Sequence, residues 1–218
     1  AIPTHGNAFI ATRFPFTDLD QRDIDGTQDG IEKTYRPEQR PKIFYTNTSV
    51  EYWGGGRAAA LTHTTINGKQ DAKLPDNVRI YLLSGTQHGE AAFPPVITNG
   101  QQLNNPTPQA NVMRALLRGL HGWVTNGSRP PDSQYPRLND RTLVPVVVVK
   151  FPNLSGVSDP RRITGPARII GGKIVPLPFL VPQVDVDGNE RGGIRVPEVN
   201  SASNRNASRD SRMTQPPA

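Results

Sequence analysis

Apolar and polar positions along this 218-residue chain fall into a few readable segments separated by long irregular stretches. Residues 42–48 are dense in aromatic and apolar character, with Pro41 before them and Gly54-Gly55-Gly56 after, and predict a strand. Residues 78–83 predict a second strand, buried on both faces, because Val78, Ile80, Leu82 and Leu83 leave only Arg79 and Tyr81 with polar ends. About thirty residues lie between the two, room for a crossover helix and hence a parallel βαβ unit. Arg57–His63 reads as a short helix in that crossover. The clearest helix runs from Gln109 to Asn126. Met113, Leu116, Leu117, Leu120 and Val124 recur on one face at three- and four-residue spacing, and Gly127 stands where a left-handed cap ends a helix.

Beyond Gly127 the pattern changes. Residues 144–149 form a β-branched run that predicts a short buried strand. Residues 151–182 alternate apolar pairs with Pro and Gly and read as an extended strap. Val184–Glu190 carries an Asp-Gly turn and predicts a hairpin. The organisation that follows is a core over residues 1–127, a strap and hairpin region over 128–199, and a disordered tail over 200–218, where Ser, Asn, Arg and Pro leave nothing to bury. Residues 1–40 read as loop. Within them Asp23, Asp25, Asp29 and Glu32 fall on calcium-loop positions around Gly26, but Gln21 holds the first position and no helix precedes it, so turn chemistry is preferred.

Composition changes this picture in one respect. Apolar residues make up 34% of the chain and prolines number 22, with a mean hydropathy of −0.54. Proline fixes φ and donates no hydrogen bond, so the totals suit a loop-rich part of a larger globule. Lys plus Arg exceeds Asp plus Glu by 25 to 19, and the pI is near 9.9. The cations are scattered and not interleaved with aromatic residues, which argues against a nucleic-acid platform. Cysteine is absent, removing disulfides, thiolate metal sites and a cysteine nucleophile. No apolar stretch approaches the length of a membrane span. Four Asn-x-Ser/Thr sequons lean weakly toward export and leave the compartment open.

Two residues carry candidate chemistry. His88 follows the second strand, flanked by Gly85 and Gly89, in a loop suited to display a general base. Glu51 follows the first strand between Val50 and Tyr52-Trp53, an apolar setting that suits a carboxylate buried against a histidine. The bland alternatives are a loop histidine bonded to backbone and a glutamate paired with Arg57. Asp71 and Asp76 are rival acids in turn-like settings. Tyr52, Trp53 and Phe93 are candidate pocket residues, although packing is the commoner role for such side chains. His121 reads as a solvated residue of the long helix, His63 as a helix-end cation, and His5 as a residue near the chain end. No histidine pair has metal-ligand spacing, so neither a metal nor another cofactor is expected. No Gly-x-Ser-x-Gly occurs, so the chain offers two members of a triad without the third.

The stretches Lys42–Trp53 and Pro75–Gly89, the Arg114-Ala115-Leu116-Leu117 helix, Ser133–Leu138, Leu180–Asn189 and Gly193–Val199 together resemble a family of large bacterial α/β-hydrolase domain proteins, over most of residues 14–199. The resemblance implies the C-terminal half of an α/β-hydrolase fold: a parallel sheet with flanking helices, followed by an extended strap. It matches the family's glutamate and histidine to Glu51 and His88, and places the nucleophile elbow, the first strands and the oxyanion hole upstream of the segment resembling residue 14. The expectation is a serine carboxyl-ester hydrolase completed by a second polypeptide bearing the serine, the isolated chain being inactive. A non-catalytic binding or structural protein derived from a hydrolase half is the alternative.

Overall fold

The computed structural model describes residues 13–54, 56–98, 102–153 and 159–200. Strands β1 (Gln21–Arg22) and β2 (Gln28–Asp29) form a small antiparallel hairpin at the start. Gly26 takes φ +91 in its turn. Asp25 accepts from the Thr27 amide, Asp23 pairs with Arg168, and Glu32 accepts from Asn77, so these carboxylates do not converge on one point.

The centre is a parallel pair, as the apolar patterning predicts. β3 (Ile43–Thr48) and β4 (Val78–Leu83) run side by side with Ile43 opposite Val78 and Thr48 opposite Leu83. β4 is covered on both faces and flanked on both edges. Opposite β3, the extended residues Gln134 and Ile194 exchange backbone hydrogen bonds with Ile80, Leu82 and Ser84 at 2.7–2.9 Å. Residues from the strap region thus complete the sheet beside β4. Among the described residues, nothing pairs with the outer edge of β3.

The crossover between β3 and β4 is not the long helix its length permits. It holds the short helix α1 (Ser49–Trp53) and a 3-10 turn over Ala59–Thr62. Arg57 has φ +52, a left-handed conformation that no helix continues through, which is why the Arg57–His63 helix does not form. Helix α2 (Ala110–Asn126) lies where the spacing puts it, closed by Gly127 at φ +73. Its packed face is narrower than expected. Leu116 and Trp123 are buried, Trp123 against the Phe44 ring of β3 and between the cations of Lys42 and Arg79. Met113, Leu117 and Val124 instead stand exposed, with no described residue covering that side of the helix.

Two readings of the later chain are corrected. Residues 144–149 are not one strand: β5 (Leu143–Pro145) gives way to a 3-10 turn over Val146–Val148, with Val147 and Val148 in solvent. Pro145 cannot donate to a ladder, which limits that strand. The strap also contains the hairpin β6 (Ala167–Ile170) and β7 (Lys173–Pro176), turned at Gly171-Gly172, before β8 (Leu180–Pro182) pairs antiparallel with β5. The expected hairpin does form, with Val184 bridged to Glu190.

The core joins the two halves of the chain. Tyr52, Ala60 and Leu82 pack with Leu143 and Leu180. Val146, Val149, Val181 and Val184 form an adjoining cluster. His63 is part of this interior rather than a helix-end cation. It is fully buried, 2.8 Å from the Tyr52 hydroxyl through Nε2 and edge-on to Tyr135. Burial lowers its pKa from the ordinary 6.5 to about 3. The unfolded chain therefore binds this proton first as pH falls. Stability is complete above pH 6.5 and falls as pH drops from there toward 3. His63→Gln, which keeps an acceptor for Tyr52, should flatten the fall in melting temperature between pH 6.5 and 4.5. An unchanged slope would place the titration elsewhere.

Candidate active site

Glu51 and His88 come together through the register of β3 and β4. Thr48 ends β3 opposite Leu83, which ends β4, so the segments leaving both strands emerge at the same carboxyl-terminal rim. In parallel α/β sheets this rim is where ligands and reacting groups are displayed. Past Thr48 the chain turns into α1, and Thr48-Ser49-Val50-Glu51 has the sequence of a capping box, with a glutamate three residues after a threonine. The Thr48 amide and hydroxyl both donate to Glu51 Oε2, at 2.7 and 2.6 Å. This clamp turns the other oxygen outward. Glu51 Oε1 lies 2.8 Å from His88 Nδ1.

That geometry sets the electrostatics. Burial alone would raise the Glu51 carboxyl, but the bonds from the Thr48 hydroxyl, His88 and the Thr48 amide outweigh it, and the net shift is below the ordinary carboxylate value. A carboxylate facing Nδ1 holds the ring proton on that nitrogen, which leaves Nε2 of the neutral ring as an acceptor. The His88 side chain is 82% exposed, so this chain leaves the ring open to an incoming group. The arrangement can accept a proton at Nε2 and stabilise the resulting imidazolium.

Neither bland alternative is adopted. Arg57 donates to the Trp53 and Thr164 carbonyls and not to Glu51. His88 bonds through Nδ1 to a carboxylate. Of the rival acids, Asp71 accepts the Leu138 and Asn139 amides, and Asp76 is exposed. His121 is exposed on α2, and His5 lies outside the described residues.

The pocket residues separate. Trp53 lines a cavity of about 490 Å³ together with Val50, Gln87, Asn105, Phe151 and Glu190; its wall includes the sequence neighbours Val50 and Gln87 of the pair but neither Glu51 nor His88. Tyr52 does not: it is sealed in the core because the polar end of its ring is held by His63. Phe93 does not either, standing 84% exposed beyond the His88 loop. Two participants were not singled out from the sequence. Thr48 was legible as the threonine of a capping box. Glu190, which accepts from Trp53 Nε1 and the Gly85 amide, has no local signature.

Among the described residues, no group of three His, Cys, Asp or Glu side chains is placed to hold a metal ion, and no helix is long and apolar enough to cross a membrane. Comparison with curated proteins and with solved structures finds no match. Residues 5–214 match the family described as Alpha/beta hydrolase domain, and the chain belongs to it.

Proposed function

We propose that this chain supplies the acid and the base of a Ser-His-Glu triad in a carboxyl-ester hydrolase, with Glu51 orienting His88 and a serine contributed by polypeptide outside these residues. The observation that carries the reading is the 2.8 Å contact between Glu51 Oε1 and His88 Nδ1 at the ends of adjacent parallel strands. The nucleophile's hydroxyl gives its proton to His88 Nε2 as its oxygen attacks the ester carbonyl. His88 then protonates the departing alcohol, and water completes turnover by the reverse sequence on the acyl-enzyme.

A completing polypeptide is supported by what this chain leaves unpaired. Among the described residues nothing pairs with the outer edge of β3, and sheet proteins rarely leave such a row of backbone donors and acceptors uncovered. Met113, Leu117 and Val124 form an exposed apolar stripe on α2, the helix that packs on β3. Together they fit a neighbouring strand that extends the sheet beneath the helix. The ester class is supported by the cavity, whose Trp53, Phe151 and Pro160 offer an apolar wall beside amide groups of Gln87 and Asn105.

The test is to treat the native, purified assembly with a fluorophosphonate probe and map the adduct. A labelled serine, in an associated chain or in sequence continuous with this one, supports the proposal. Absence of labelling throughout an intact assembly favours a binding or structural protein derived from the fold.

A further inference from the structure

We propose that Glu190 is a positioning residue for the Glu51–His88 pair, an inference that rests on the hydrolase reading above. Its carboxyl group joins the two segments that carry the pair. Oε1 accepts from Trp53 Nε1 at 3.0 Å, and Trp53 ends α1 two residues after Glu51. Oε2 accepts from the Gly85 amide at 2.6 Å, and Gly85 opens the loop to His88 three residues later. One side chain thus spans the acid's helix and the base's loop, reaching back 137 residues to one and 105 to the other.

The placement is costly for a stabilising role alone. Glu190 is 3% exposed, and burying a carboxyl group is unfavourable unless its oxygens are satisfied. Here both are, by donors that belong to the site. The residue is itself held rigidly: its carbonyl accepts from Arg195 Nε at 3.0 Å, Val184 bridges it across the hairpin, and Arg195 pairs with Asp185 at the hairpin's start. Gly85 is crowded as well: a side-chain carbon there would meet Val199 Cγ2 at 2.9 Å and Asn189 Oδ1 of the hairpin at 3.2 Å. Asn105 holds Gly85 from the other side, donating to its carbonyl at 2.8 Å. The hairpin after β8 therefore sets where the histidine loop leaves β4, and Glu190 ties that setting to α1. It acts through Trp53 and Gly85, not on the reacting atoms.

The test is steady-state hydrolysis of p-nitrophenyl acetate by the complete enzyme carrying Glu190→Gln. An amide accepts from one of the two donors and must turn an N–H toward the other, so the bridge opens at one end. A displacement of catalytic groups by about an ångström costs about 10²-fold. The expected result is a kcat about 10- to 100-fold lower, with KM within about twofold. In a His88→Ala background the same substitution should cost nothing further, because a residue acting through His88 has nothing left to position. A further loss of about tenfold in that background would mark a general structural role and overturn the proposal. So would an unchanged kcat for Glu190→Gln in an enzyme that His88→Ala inactivates, leaving the triad reading intact. Normal turnover by His88→Ala would sink the triad reading itself. Should Glu190→Gln fail to assemble, Trp53→Phe removes one donor while keeping the carboxyl group, and the same two-background comparison decides.

Discussion

Replacing His88 by alanine in the complete enzyme should lower kcat by about 10⁴-fold or more, the scale of losing a triad base. The substitution is well suited to isolate chemistry from folding. The ring is 82% exposed and, among the described residues, its hydrogen bond is to Glu51, so the folded chain loses little packing. An exposed substitution of this kind shifts stability by about 0.5 kcal/mol or less. The melting temperature should therefore stay near that of the parent while ester turnover collapses. KM for a small chromogenic ester should change only a few-fold, since the imidazole works on the transition state rather than on ground-state binding. Near-normal turnover in a properly assembled variant would remove His88 from the mechanism.

The parts of this molecule that were legible in the sequence are those set by local periodicity. β3 and β4 follow from apolar runs with turn residues at their ends, and their parallel pairing follows from the length of chain between them. The ends of α2 follow from its spacing and from Gly127. Pairing then brings Glu51 and His88 to one rim without any further information, which is why the candidate site could be read at all.

What was not legible depends on distant chain. The exposed stripe of Met113, Leu117 and Val124 looks like a core face, because periodicity reports amphipathicity and not whether a covering surface is present. His63 sits in a polar-looking stretch, Leu61-Thr62-His63-Thr64, yet Tyr52 and Tyr135 close over it. The β6–β7 hairpin was signalled by Gly171-Gly172 between Arg168-Ile169-Ile170 and Lys173-Ile174-Val175, but the surrounding prolines hid it. Glu190 had no such signal. Its role arises only when residues more than a hundred positions apart are folded onto it.

Glu51→Gln should be nearly as damaging as loss of the histidine, by about 10⁴-fold in kcat, and for a reason the hydrogen-bond pattern dictates. The two donors of Thr48 both reach Oε2, so a glutamine is best placed with its carbonyl oxygen there. Its amide nitrogen then faces His88 Nδ1 and donates to it. The ring must respond by carrying its proton on Nε2, the atom that should receive the nucleophile's proton. The variant keeps the capping contact and the shape of α1, so its melting temperature near pH 7 should stay close to the parent's. Glu51→Ala, which also removes the bonds to Thr48, should lose about 1 kcal/mol of stability besides. The pH dependence separates the charge from the shape. Because the folded-state carboxyl lies below its ordinary value of 4.5, its contribution is complete above that pH and fades as pH falls through the folded value. Below pH 4.5 the parent should therefore lose melting temperature more steeply than the glutamine variant. Parallel curves together with retained esterase activity would show that Glu51 does not hold His88 for catalysis.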